Sequence, residues 1–338
     1  MKNNAKHALR ITAALMTVLL LCAGCSTGKA LPRLSEVGFY LDTVITLTAY
    51  TEDGQVLKDA MAECERYEKL LSRTAEGSDV WRINHAGGEP TEVSADTMAI
   101  LRCAEEISRL SGGAFDITIA AVSTLWDFTS GEKKLPDPEK LAGAAEQVDY
   151  TRVQLEGNSV RLPSGMMIDL GGIAKGYIAD RIADFLRERG VKHAILSFGG
   201  NIVCIGGKPD GTPWKVGIQD IDGATGVPMM ISRCREGSTV TSGTYERCFE
   251  LEGIRYHHLL SPDTGMPVRN GLASVTIFSK GSMEGDALST AAFILGKEKG
   301  MALIEGLPDT EAVFISEDRE TAFTSGAAEW IESPEAQR

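Results

Sequence analysis

The five cysteines beyond position 25 (Cys64, Cys103, Cys204, Cys234 and Cys248) include no C-x-x-C pair and share no regular spacing. That excludes a thiolate zinc cluster or a disulfide framework as the organising feature, and such cysteines read as small buried hydrophobes. Positive charge is also scarce. Against 47 acidic side chains stand 34 Lys and Arg, a formal charge of -13, which becomes three units more negative once Lys2, Lys6 and Arg10 are removed. So acidic a surface argues against nucleic acid or anionic lipid as a general partner. The apolar run at 11–21 is too short to span a bilayer. After Pro32 there is no Pro- or Ser-rich linker, no short repeat and no low-complexity stretch, so the remainder reads as one continuous domain.

What is present begins at the N-terminus. Lys2, Lys6 and Arg10 precede the apolar run, and Cys22-Ala23-Gly24-Cys25 follows it. That order is a signal peptide over 1–24. Its Ala-Gly-Cys ending resembles a lipobox, with Cys22 where Leu is usual and Leu21 one place earlier. Lipid on Cys25 would hold the mature chain at the extracytoplasmic face of the cell membrane, with 25–36 as a tether and 37–333 as the domain. Acyl chains, not a basic patch, would supply that attachment. An ordinary cleaved signal would export the chain without the anchor.

Along the domain, residues 38–51 are rich in β-branched and aromatic side chains and suit a strand. Helical spacing marks 56–71 and 97–111, the second ended by Gly112-Gly113. A short helix over 136–147 precedes two strands around the Gly157-Asn158 turn. Residues 167–170 read as a strand, Gly171-Gly172 as a turn and 173–189 as a helix closed by Gly190. Strand, glycines and helix start bring backbone N–H groups towards an anion, although the spacing fits neither G-x-x-x-x-G-K-S/T nor G-x-G-x-x-G. Two glycines turning a corner would give the same pattern. Residues 193–206 read as a further strand with Gly199-Gly200 inside, 214–219 and 238–240 as others, and 286–295 as a short apolar helix.

The segment 238–296 crowds candidate site groups together. Asp286 and Thr290 are four apart and share one helix face. A carboxylate and a hydroxyl are hard oxygen ligands, too few to cage calcium but suited to a magnesium ion that keeps waters and phosphate oxygens. The same spacing suits a helix cap and a hydroxyl packed on the preceding turn. His258 precedes the turn signal Pro262-Asp263-Thr264-Gly265 and is a candidate proton carrier or anion partner, although a lone histidine also suits a hydrogen-bonded structural role. Strand alternation puts its neighbour His257 on the opposite face, so at most one of the two looks into a site.

Taken in order, several pieces resemble the ApbE family of FAD:protein FMN transferases from residue 38 to about 330. They are Leu41-Asp42-Thr43, Leu70-Leu71-Ser72, the 113–118 stretch around Ala114-Phe115-Asp116, and Leu125-Trp126-Asp127-Phe128. The 168–177 run, Ser242-Gly243-Thr244-Tyr245, His258 with the following turn, and Asp286 with Thr290 complete the set. The resemblance implies an α+β fold of duplicated, tunnelling-like antiparallel sheets with packed helices, holding FAD in a cleft between the halves. It implies transfer of FMN from FAD to a Ser or Thr hydroxyl of acceptor flavoproteins, such as subunits of membrane redox complexes, with release of AMP.

Magnesium is the metal it implies, held by the Gly172 carbonyl, Asp286 and Thr290. Flavin and adenine contacts fall on Leu41, Thr74, Ala114, Phe115, Asp116 and Asp169, with Ser242, Gly243 and Tyr245 lining the same cleft. Lys175 would neutralise phosphate charge, and His258 would deprotonate or orient the attacking hydroxyl. Leu41-Asp42 replaces the family's usual Met-Gly, Thr74 stands where some members carry an aromatic, and Ser261 replaces an acidic residue before the proline. Two other readings use the same residues: FAD hydrolysis to FMN and AMP, and a non-catalytic FAD-binding lipoprotein.

Overall fold

The computed structural model describes residues 30–128, 133–221 and 227–332, and a compact unit begins at Arg33. The expected signal peptide, Cys22 and Cys25 lie outside the described residues. The chain opens with a hairpin, β1 (Arg33–Tyr40) and β2 (Thr43–Tyr50), so residues 33–36 of the expected tether belong to a strand. The single strand expected over 38–51 is broken at Leu41 and Asp42, whose φ values of 57° and 56° make a tight left-handed turn. No glycine or asparagine announces that turn. Glu68 supports it by accepting the Leu41 N–H at 2.7 Å.

A helical passage follows, with α1 (Gln55–Leu71), α2 (Asp79–Asn84), β3 (Thr91–Glu92), α3 (Ala95–Leu110), α4 (Ala120–Ser123) and α5 (Pro138–Ala145). Then come β4 (Gln154–Glu156), β5 (Ser159–Arg161), α6 (Ala174–Glu188), β6 (Ala194–Phe198) and β7 (Asn201–Ile205). Next are β8 (Trp214–Gln219), β9 (Pro228–Cys234), β10 (Gly237–Gly243), β11 (Cys248–Leu251), β12 (Ile254–His257) and β13 (Leu272–Ser279). The end is α7 (Ser282–Glu305), β14 (Glu311–Ser316) and β15 (Thr321–Phe323).

Eight of these strands form one antiparallel sheet in the order β1-β2-β6-β7-β10-β13-β14-β15. Each half of this sheet repeats one plan: two strands, a long helix (α6 or α7) that packs on the core, then two more strands. This is the expected α+β architecture of doubled antiparallel halves. Apolar residues at helical spacing on α6 (Ile178, Ile182, Leu186) and on α7 (Leu288, Ala292, Phe293) join Ile45, Leu47, Leu196, Val275 and Ile277 of the strands in one core. No described helix is long and apolar enough to cross a membrane.

Two further strand expectations need correction. Residues 193–206 form the hairpin β6–β7 rather than one strand, with Gly199 (φ 70°) and Gly200 at its tip. Residues 167–170 make a single bridge, Met167 to Ile119. The side-chain amide of Asn84 takes the place of a neighbouring strand there: it accepts the Ile168 N–H at 2.8 Å and donates to the Ile168 carbonyl at 2.9 Å. The final helix is also longer than expected, running from Ser282 past a break at Gly296 (φ 80°). Gly281 is its N-cap, so Asp286 is not a capping residue.

Candidate active site

The joint between α6 and α7 builds the floor of the site. Helix α6 has no side-chain cap of its own, which leaves early N–H groups seeking partners. One comes from α7: Asp286 Oδ2 accepts the Gly176 N–H at 3.0 Å. In return, Asp180 of α6 accepts the first N–H groups of α7, from Ser282 at 2.9 Å and Met283 at 2.8 Å. Burial raises the Asp180 carboxyl to about 6, with the two backbone bonds pulling the other way. The two helix starts are thus stapled reciprocally, and Asp286, 3 % exposed, is held over the positive end of α6.

One turn further along α7, Thr290 reaches the glycine corner. A Cβ on Gly172 would lie in ordinary contact with Thr290 Oγ1 at 3.6 Å and tight against the Phe115 ring at 3.2 Å, so the corner packs closely on both. Ser242, at the end of β10, sits 2.8 Å from the Ser289 hydroxyl and 3.4 Å from that of Thr290. The oxygen of Asp286 left over by Gly176 faces Lys175, whose Nζ is 3.4 Å away and donates at 3.2 Å to the Gly171 carbonyl.

Above this floor opens a cavity of about 510 Å³, lined by Ala114, Phe115, Asp116, Asp169, Gly172, Lys175, Ser242, His258, Asp286 and Thr290 among others. These ten expected site residues, scattered over 177 positions of chain, line one cavity. Asp169 is oriented by the Gly171 N–H (2.9 Å) and the Ser123 hydroxyl (2.9 Å), with Arg73 3.8 Å away. The Asp116 carboxylate is occupied by the N–H and hydroxyl of Thr118 (2.8 and 2.6 Å) and the Tyr150 N–H (2.8 Å). It braces the 113–118 loop, and burial still raises its pKa.

His258 follows β12 directly and lines the cavity, while His257 is buried on the other side with Nε2 3.1 Å from the Val268 carbonyl. Alternation thus separates them as the sequence implied. Burial first, then the nearby Arg247 and Lys175 charges, lower His258 to about 3; burial lowers His257 to about 4. Both are neutral near pH 7, so His258 keeps a ring-nitrogen lone pair there, with its basicity held down by burial and the neighbouring positive charges.

Four expected contacts do not line this cavity. Leu41 is in the β1–β2 turn and presents its carbonyl to Arg247 at 3.2 Å, leaving Asp42 and Thr43 on the wall. Thr74 is exposed, and its neighbour Arg73 lines the cavity instead. Gly243 and Tyr245 lie behind Ser242, with the Tyr245 ring folded over Gly243, 2.7 Å from where a Cβ would be. Glu246 and Arg247, which no motif singled out, also line the cavity, and burial raises the Glu246 pKa against the pull of Lys175. Their only sequence signal was adjacency to the Ser242–Tyr245 motif.

Proteins named FAD:protein FMN transferase from Treponema pallidum and Klebsiella pneumoniae are similar to the chain. The first is 34 % identical over 93 % of both chains, and the second 35 % identical over 83 % of this chain and 88 % of its own. Among solved structures, the ApbE protein of Thermotoga maritima superposes with a TM-score of 0.83 at 28 % identity, covering 89 % of this chain and all of its own. The flavin transferase ApbE from Vibrio cholerae gives 0.80 at 26 % identity, covering 88 % of this chain and 99 % of that one. Residues 41–314 match the sequence pattern of the ApbE family, and on that match and those identities the chain belongs to it.

Proposed function

We propose that this chain is a magnesium-dependent FAD:protein FMN transferase, which moves FMN from FAD to a Ser or Thr hydroxyl of an acceptor flavoprotein and releases AMP. The observation that carries the reading is the convergence of Gly172, Asp286 and Thr290 at the α6–α7 joint, beneath a cavity that also holds Lys175 and His258. The names and fold of the relatives support the same reaction.

The donor set suits magnesium. Asp286 has one carboxylate oxygen not engaged by backbone, Thr290 has a hydroxyl, and the Gly172 carbonyl lies at the same corner. Among the described residues no three His, Cys, Asp or Glu side chains cluster to hold a metal. A site with so few protein ligands leaves positions for water and phosphate oxygens, which magnesium prefers. Bound there, the ion would draw charge from the oxygens of the FAD diphosphate bridge.

The chain's own groups supply the rest. Lys175, Arg73 and Arg247 give the cavity positive charge for phosphates, while Phe115, Trp126 and Phe128 offer apolar surface to rings. Neutral His258 takes the proton as the acceptor's oxygen attacks the FMN phosphorus. The bond from that phosphorus to the bridging oxygen breaks, and AMP departs with the bridge oxygen.

We also propose that lipid on Cys25 holds the enzyme on the extracytoplasmic face of the cell membrane, beside acceptor subunits of membrane redox complexes; Lys2, Lys6, Arg10 and the Ala23-Gly24-Cys25 ending support this. Mass spectrometry of the protein from native membranes would test it, an unlipidated N-terminus counting against it. The activity is tested by incubating the protein with FAD, magnesium and an acceptor bearing Ser or Thr. Covalent flavin fluorescence on the acceptor is the expected result. Free FMN alone would point to hydrolysis, and intact bound FAD to storage.

A further inference from the structure

Lys175 stands where simple electrostatics would not put a cation. It is the second residue of α6, in the first turn, where the helix end is positive and Lys is disfavoured. A local rule broken in this way points to a functional demand. The demand is visible in its contacts. Its ammonium bridges the Gly171 carbonyl and Asp286, joining the glycine corner to the acidic face of α7. Those are the two elements from which the proposed magnesium ligands come.

Asp286 is almost fully buried, and a buried carboxylate without a counter-charge is strongly unfavourable. Lys175 supplies that charge, yet the contact is loose. At 3.4 Å it is well beyond the 2.7–2.9 Å typical of a strong charge-assisted bond. The side chain is partly exposed and faces the cavity, and its four-carbon stem can swing. Glu246 is a second carboxylate within its electrostatic reach.

Resting on the metal reading above, we propose that Lys175 is a resident counter-cation for Asp286 which the divalent ion displaces. The released ammonium then turns into the cavity towards the diphosphate. One carboxylate is thereby neutralised in both states, so the α6–α7 joint does not loosen between turnovers. Lys175 acts here through Asp286, as a positioning residue.

The test uses the full chain without FAD, titrated with Mn²⁺ alone and followed by electron paramagnetic resonance, for the wild type and Lys175→Met. Removing a competing cation should tighten Mn²⁺ binding by about tenfold or more, a factor equivalent to about 1.4 kcal/mol. A residue serving only to hold the fold would shift affinity the other way. The metal-free variant should melt below the wild type, and saturating Mn²⁺ should raise its Tm by more than it raises that of the wild type. Lys175→Gln, which keeps polarity, should behave like the Met variant if either folds poorly, as judged by circular dichroism. Unchanged or weaker Mn²⁺ binding in both variants, with the wild type still binding, overturns the displacement. No Mn²⁺ binding in the wild type or either variant, with or without FAD, overturns the metal reading and this inference together.

Discussion

Gly176 of α6 lies directly against Ser282 of α7: a Cβ on the glycine would sit 2.1 Å from the Ser282 carbonyl oxygen. The obstacle is backbone, so no rotamer change relieves it. This contact lets Asp286 reach the Gly176 N–H and brings α7 within range of the glycine corner. Gly176→Ala should therefore force the helices apart, at a cost of about 3 kcal/mol or more, the upper end of overpacking penalties. Urea denaturation would measure the stability, and Mn²⁺ affinity would report whether the proposed ligands still meet. An alanine variant with wild-type stability and metal binding would show that the joint is looser than the structure indicates.

Asp286→Asn separates the chemistry of this residue from its structural role. The amide oxygen can still accept the Gly176 N–H, so stability should fall by only about 1 kcal/mol, the net worth of one hydrogen bond. The charge offered to magnesium is gone. Since a catalytic metal supplies several kcal/mol of transition-state stabilisation, FMN transfer should drop at least about a hundredfold. Steady-state covalent flavin fluorescence at saturating FAD would check it, and transfer within a few-fold of wild type would remove Asp286 from the metal site.

The two lowered histidines predict an acid-side loss of stability. Unfolded, each binds a proton near the ordinary value of 6.5; folded, they resist protonation to about 4 (His257) and about 3 (His258). As pH falls below 6.5 the unfolded chain gains protons that the folded one does not. Stability drops with a slope of about 1 kcal/mol per pH unit for each histidine. From about pH 6 downwards Asp180 acts oppositely, because its raised folded pKa makes the native state the better proton acceptor. Denaturant titrations at pH 7.5, 6 and 5 should show the loss, and His257→Gln should remove about half of the histidine part. The rate of FMN transfer should show no His258 limb near pH 6.5, since the folded residue is neutral from well below that value.

How much of this was legible follows from where the information resides. Periodicity marked α1, α3 and α6, and Asp286 with Thr290 on one helix face needed only the 3.6-residue repeat. That the glycine corner abuts that face depends on long-range contact, and family resemblance, not spacing, supplied it. The β1–β2 turn was invisible because it puts Leu41 at positive φ, where leucine is disfavoured and no glycine stands, and it is supported by the bond the Leu41 N–H donates to Glu68 across 27 positions of chain. The 167–170 segment misled for the converse reason: its apolar residues suit a strand, but the Asn84 amide satisfies the backbone. Arg73 and Thr74 are adjacent, and sequence could not tell which would face inwards. Glu246 and Arg247, charged residues beside a polar motif, carried no mark distinguishing cavity from solvent.

The loop that positions His258 depends on Trp126. Its indole N–H donates at 2.8 Å to the Gly265 carbonyl, tying the 125–128 motif to the turn that follows His258. Trp126 is 5 % exposed and packs among Phe128, Phe249 and Tyr256, with ring centroids 5.5, 6.5 and 5.9 Å away. Trp126→Phe keeps most of the aromatic packing but strands a buried carbonyl, which costs about 1–3 kcal/mol. The turn is then freed at its glycine end, so His258 should hold its place less well while the α6–α7 joint, remote in sequence and built from other contacts, is untouched. Mn²⁺ affinity should stay at the wild-type value as kcat for FMN transfer falls several-fold, a 1 kcal/mol effect corresponding to about fivefold. Measuring both on one preparation distinguishes this from general unfolding, which would lower the two together, and an unchanged kcat would mean that His258 is positioned without the Trp126 bond.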